Sequence, residues 1–277
     1  MTAKTTTREK SFPLTGPINL IVRYGHGSVT VSARDDLAEA LVRLTARIPD
    51  SDILDRIAIE MRGPTLAVVA PRQGGLSDLF GGFRDRDTVD AEITVPSGTA
   101  MKLTTGSADI TVTGRSGGAD VASGSAHIDL DAVDGDLRVR CGSASSRVRA
   151  VSGDVVARSG SGDLSLGEIA GAVQAGSGSG NLSIDTAHGP VRSRAGSGDM
   201  RIGTAHGDVD VTAGSGGLSV GVPAGVSARL DVRTGSGRVR TDLPIDDSPA
   251  NGTEITVRAR TGSGDVRLFR AGHDAAA

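Results

Sequence analysis

The chain has 277 residues, a formal charge of −3, no Trp, one Tyr and four Phe. This balance carries no signal for a nucleic-acid partner or a membrane surface, and so few rings leave no stacking platform for single strands or sugars. A single cysteine, Cys141, excludes an internal disulfide, and 40 glycines without a Gly-X-Y period exclude collagen.

Met1 to Ser11 is polar and is expected to be disordered. It has no apolar core of the kind a secretory signal needs, and no later run reaches the roughly 18 apolar residues of a membrane span. A cytoplasmic protein is therefore expected. A β-rich segment is predicted over 12–96, starting with strands at Ile18–Val22 and Ser28–Ser32 joined around Gly25-His26-Gly27. Leu37, Leu41, Leu44 and Ile48 suit a helix stripe, yet Val42, Leu44, Ala46 and Ile48 alternate with Arg43, Thr45 and Arg47. The segment ends at Pro49 among other strands, so a strand is expected. One helical turn capped by Ser51 is predicted over Ser51–Arg56, then strands at Ile57–Met61 and Thr65–Ala70. Pro71–Thr88 is Gly-rich with mixed charge and reads as an exposed loop. Its Leu79, Phe80 and Phe83 are candidate partner contacts, although such residues can equally tuck against the end of a neighbouring domain. Ala91–Val95 leads through Pro96 into the remainder.

From Gly106 to Leu268 one phrase, Gly-Ser-small-x-apolar-x-apolar, returns nine times, with first glycines at 106, 124, 142, 160, 178, 196, 214, 235 and 262. The first seven are spaced by 18 residues, the signature of a solenoid whose turns bury their apolar faces by stacking. Asp163-Leu164-Ser165-Leu166 alternates with period two, so Leu164 and Leu166 should point inward. A second glycine ladder, including Gly153, Gly171 and Gly189, opens a quieter strand in each turn. The fold expected over 97–269 is thus an all-β parallel solenoid with 18-residue turns. Insertions near Pro223 and over Leu243–Thr253 interrupt the period, the second as a protruding hairpin. Leu268 and Phe269 are expected to close the far end, followed by a disordered tail over 270–277. Ser146 takes an inward slot filled elsewhere by Leu, Ile or Val, which predicts a local distortion or a polar contact there.

Arg158-Ser159-Gly160-Ser161-Gly162-Asp163-Leu164, with Gly27-Ser28-Val29-Thr30-Val31, resembles the DUF4097 family, the toastrack or adhesin-like β-strand-repeat proteins of bacteria, over nearly the whole chain. The resemblance implies a parallel β-solenoid acting as a scaffold, often in envelope-stress systems beside membrane segments, and it brings no catalytic residues. Among its members the chain looks most like the soluble, stand-alone actinobacterial ones.

Three chemical readings were weighed against the residues. Calcium-binding β-rolls place Asp two residues past the last Gly, but here the acid follows Gly directly and the column reads Asp109, His127, Ser145, Asp163, Asn181, Asp199, Gly217, Arg238 and Asp265. A ladder interrupted in this way does not suit calcium. His188 and His206, 18 residues apart, are candidate metal ligands with Asp185 or Asp208, against a plainer reading as turn residues. Asp129, Asp131, Asp134 and Asp136 supply outward acids, yet no cleft, nucleophile elbow or phosphate loop accompanies them, so neither an enzyme nor a cofactor is expected. Cys141 lies in a column with Ser159 and Ser177, as a small residue filling a small slot. The expected function is a non-enzymatic scaffold that meets an unidentified protein partner on a strand face or a loop. Binding of a carbohydrate or cell-envelope polymer is the alternative, disfavoured by the scarcity of aromatics.

Overall fold

The computed structural model describes residues 6–47, 53–70, 88–243 and 254–272. The chain divides into two compact units, Met1–Asp134 and Gly135–Ala277. It is all-β, with one four-residue helix among the described residues.

The first unit holds β1 (Thr6–Pro13), β2 (Asn19–Arg34), β3 (Glu39–Ala46), α1 (Ile53–Arg56), β4 (Ala58–Arg62), β5 (Thr65–Val69), β6 (Val89–Pro96), β7 (Ala100–Ser116), β8 (Ala119–Ser123) and β9 (Ile128–Val133). Where two strands were expected, β2 is one. Leu20, Val22 and Tyr24 are buried before Gly25-His26-Gly27, and Val29, Val31 and Ala33 after it, so the inward face changes parity there. Gly27 has φ 125, and a Cβ on it would lie 1.9 Å from the Val89 carbonyl oxygen; only glycine lets the chain turn this corner and stay paired. Asn19–Arg23 then runs parallel to β5 and Gly27–Arg34 parallel to β6, while β7 runs parallel along the other edge.

Disorder was expected through Ser11, but Thr6–Ser11 belong to β1, which is antiparallel to β3 from Thr6↔Ala46 to Pro13↔Glu39. Its polarity fits an edge strand. Arg8 donates to the carbonyls of Leu54 and Ile57, Lys10 to that of Ile59, and Glu9 pairs with Arg43 at 2.9 Å. The strand reading of the next segment holds, with Ala40, Val42, Leu44 and Ala46 buried. Ser51 lies outside the described residues, so its cap on α1 is not seen.

The second unit winds two strands per turn. They are β10 (Leu137–Cys141), β11 (Ser146–Val151), β12 (Val155–Ser159), β13 (Leu164–Ile169), β14 (Val173–Ser177), β15 (Leu182–Ala187), β16 (Val191–Ser197), β17 (Met200–Ala205), β18 (Val209–Ser215), β19 (Leu218–Val222), β20 (Ser227–Ser236), β21 (Val239–Thr241), β22 (Glu254–Ser263) and β23 (Val266–Arg270). From β10 to β17 each strand pairs in parallel with the one a turn later, Leu137 with Val155 and Leu164 with Leu182, in the 18-residue register the glycines predict. Leu164 and Leu166 face inward and are buried.

The last turns do not stack in chain order. β18 pairs with β22 (Val209↔Val257) and β19 with β23 (Leu218↔Val266), while β20 and β21 lie outside them (Leu230↔Val257, Val239↔Val266). Leu268 and Phe269 therefore sit within the stack, contrary to the expectation that they close its end. Both are buried, and Arg201 and Arg267 lie over the Phe269 ring at 5.4 and 5.5 Å from its centroid. Arg270, expected in a disordered tail, ends β23 and donates to the carbonyls of Pro223 and Val226 at 2.9 Å. The predicted hairpin tip, Asp246 to Gly252, lies outside the described residues.

Candidate functional site

Acidic residues at the turns are the first candidates for chemistry, and the geometry gives them a structural task. Asp163 Oδ1 accepts the backbone N–H of Asn181 at 2.8 Å, Asn181 Oδ1 that of Asp199 at 2.9 Å, and Asp199 Oδ1 that of Gly217 at 2.7 Å. Asp136 and Asp154 do the same for Asp154 and Ala172 on the other edge of the turn. Asp265 accepts from Arg238 and Asp208 from Thr256, following the spatial order of the turns and not their order in the chain. A turn has backbone donors that no ladder partner satisfies, and a carboxylate or amide oxygen one turn below meets that need. Asp and Asn both serve; calcium is not required to explain the column.

The small-residue column has a similar role. Ser159 Oγ donates to the Gly162 carbonyl at 2.6 Å, and Ser177 Oγ accepts from the Gly180 N–H at 2.9 Å, each tying a corner. Ser146 donates to Cys141 Sγ at 3.5 Å, so the hydroxyl that interrupts the apolar column meets a sulfur. Pairing stays in register there, Ser146↔Leu164, with no distortion of that strand pair. Cys141 is buried.

His188 and His206 do come together, with ring centroids 5.0 Å apart and planes inclined by 17°. Stacked imidazoles present their ring nitrogens side by side, whereas a shared metal needs lone pairs that converge. His188 Nε2 instead meets Glu168 Oε1 at 3.1 Å. Among the described residues no group of three or more His, Cys, Asp or Glu could hold a metal ion, Asp185 and Asp208 included.

One feature of the second unit was not foreseen from the sequence. On the outward face of the ladder β10–β12–β14–β16–β18–β22–β20, two rows carry Arg138, Arg192 and Arg258, and Arg140, Arg158, Arg194, Arg260 and Arg233. Only Asp210 and Asp231 oppose them within these rows. All eight arginines are exposed. Asp231 engages Arg260 at 2.8 Å and Arg233 at 3.2 Å, and Arg260 above all holds its carboxyl below the ordinary range. Arg138, Arg158, Arg192, Arg194 and Arg258 have no ion-pair partner among the described residues. A sheet face puts side chains about 4.8 Å apart across strands and roughly 6.6 Å apart along them. The result is a cationic face, interrupted at β14 and β18, within a chain of net negative charge. Reading the outward positions down the 18-residue period would have found it.

A family model for the Toastrack DUF4097 proteins matches residues 43–275. The chain belongs to this family. Among solved structures, a candidate adhesin from Parabacteroides distasonis ATCC 8503 is 15% identical over 96% of this chain and 98% of its own, with a TM-score of 0.44. Another candidate adhesin, from Bacteroides fragilis NCTC 9343, is 16% identical over 95% and 97%, with a TM-score of 0.41. A candidate lipid-binding protein from Parabacteroides distasonis ATCC 8503 is 13% identical over 96% and 98%, also at 0.41. No curated protein matches the chain.

The first unit of this Toastrack protein contains a further polar cluster. Asp90 accepts from Ser28 Oγ at 2.7 Å and from Arg47 through both carboxylate oxygens, at 2.9 and 3.0 Å. Arg47 holds the Asp90 carboxyl below its ordinary range against partial burial, with Ser28 assisting. Nearby, burial and then the charge of Asp90 push the Tyr24 phenol well above its ordinary value, and its buried oxygen has no hydrogen-bond partner among the described residues. Leu79, Phe80 and Phe83 lie outside the described residues, so the structure does not place the predicted contact. Among the described residues, no helix is long and apolar enough to cross a membrane.

Proposed function

We propose that this Toastrack protein is a non-catalytic scaffold that holds an acidic protein partner on the arginine-bearing strand face of Gly135–Ala277. The observation that carries this reading is the set of exposed arginines without ion-pair partners among the described residues, on β10, β12, β16 and β22. The ladder holds their backbones in fixed rows, and guanidinium groups suit carboxylates in bidentate contact. The turn carboxylates, which acid–base chemistry would need, already serve as backbone caps. Leu79, Phe80 and Phe83 form a second contact in this proposal. The recurrence of arginines along the face also suits the alternative reading, a cell-envelope polymer with repeated negative charge.

Affinity capture from lysate tests the scheme, comparing wild type with Arg158→Glu/Arg192→Glu/Arg194→Glu and with a chain in which residues 74–87 become a Gly-Ser linker. An acidic protein held by wild type and released by the charge reversal supports the arginine face. Equal capture by that variant removes it. Retention on cell-wall polymer with no captured protein moves the reading to the alternative, and loss only with the linker moves the contact to the loop.

A further inference from the structure

Among the described residues, the intercalation of β22 and β23 leaves β20 and β21 as the last layer. Leu230 continues the inward column of Val257, Val209 and Val191, all of them buried, yet it is 40% exposed. Val239 continues the column of Val266, Leu218 and Met200, likewise buried, and is 50% exposed. These two are the large hydrophobic residues exposed among the described ones. Among the described residues no strand lies beyond them. An uncovered edge of this kind is a template for another strand.

We propose that the β20 edge is where a second copy of this chain docks, strand against antiparallel strand about a two-fold axis. The sequence of β20 is self-complementary about Leu230. With Leu230 opposite its own copy, Ala228 faces Val232 and Arg229 faces Asp231, both pairs occurring twice by symmetry. Apolar residues then meet on the inward face, which extends the core through the junction, and opposite charges meet on the outward face. The registers centred on Arg229 or Asp231 set that charge against its own copy, and the one centred on Val232, which pairs Asp231 with Arg233, puts Leu230 opposite the polar Thr234. Arg260 and Arg233 already neutralise Asp231 in the single chain. Strand pairing and the leucine contact therefore supply the affinity, and the charges choose the register.

Sedimentation of the full chain over a range of concentrations tests this, with far-UV circular dichroism as the check on folding. Wild type is expected to shift from the 27.9 kDa monomer to twice that mass. Leu230→Lys, at a position already exposed, is expected to stay folded and monomeric. Arg229→Asp and Asp231→Arg should each weaken self-association by about tenfold or more, since each sets like charges opposite one another. An equimolar mixture of these two variants should associate again as a heterodimer, which a merely misfolded edge would not do. A wild type that is monomeric throughout overturns the proposal. So does a dimer that Leu230→Lys leaves intact, or a mixture that fails to recover.

Discussion

Asp163 accepts the backbone N–H of Asn181 at 2.8 Å from one turn below it. The same atom pair recurs wherever Asp or Asn holds this place, so the acidic column acts as a chain of caps. Asp163→Ala is expected to cost about 1 kcal/mol, and Asp163→Asn, which keeps a carbonyl oxygen, clearly less. Urea midpoints at unchanged slope measure both. An equal loss for the two would mean that charge, and not the hydrogen bond, carries the effect.

Gly162 and Gly176 lie in neighbouring turns, yet their surroundings differ. A Cβ on Gly162 would lie 1.8 Å from the Ala144 carbonyl oxygen, whereas on Gly176 its nearest neighbour is the Arg194 carbonyl oxygen at 3.9 Å. Gly162→Ala should lose more than about 2 kcal/mol while Gly176→Ala stays within about 0.5 kcal/mol of wild type. Thermal unfolding of the pair is the check, and a reversed order would refute the stacking of the corners.

Leu164 lies in register with Ser146 and Leu182 and is buried between their turns. Leu164→Asp places a carboxylate where no cation can reach, and a loss of about 4 kcal/mol or more is expected, against less than about 1.5 kcal/mol for Leu164→Met. A Leu164→Asp protein melting like wild type would reverse the inward assignment.

Tyr24 is the sole tyrosine and the chain has no tryptophan, so phenolate absorbance reports this residue alone. Burial first, and then Asp90, raise its titration. The unfolded chain loses the phenolic proton near pH 10 while the folded chain holds it. Stability should therefore fall as pH rises above about 10, and phenolate should appear together with loss of the circular dichroism signal. Phenolate forming at pH 10 in a chain that stays folded would show the phenol to be open to water.

Periodicity made the regular part of the second unit readable, because a repeat of 18 residues sets both the strand partners, such as Leu137 and Val155, and the faces of Leu164 and Leu166. The pattern could not show that Val209 skips Leu230 and pairs with Val257, since both segments carry the same phrase and local sequence does not distinguish them. The strand over Thr6–Pro13 was hidden for another reason: its partners are the antiparallel β3 and distant backbone carbonyls, neither of which leaves a local apolar period. At the site, the acids of the turns were visible but not their acceptor role, which depends on an N–H one turn away. The arginine rows were scattered in sequence and became a surface only when stacked.

The exchanged order of the last turns bears on how the chain is made. A growing chain adds Ser227–Thr241 before Glu254–Arg270, yet the later segment lies between the earlier one and the rest of the stack. Up to Val222 each new turn finds a finished platform as it is synthesised. The next turn has no platform of its own and must wait for the one that follows it, or settle there and be displaced. A slow final step that needs almost the whole chain, and a propensity to trap Ser227–Thr241 in the position that Glu254–Arg270 should take, are built into this order.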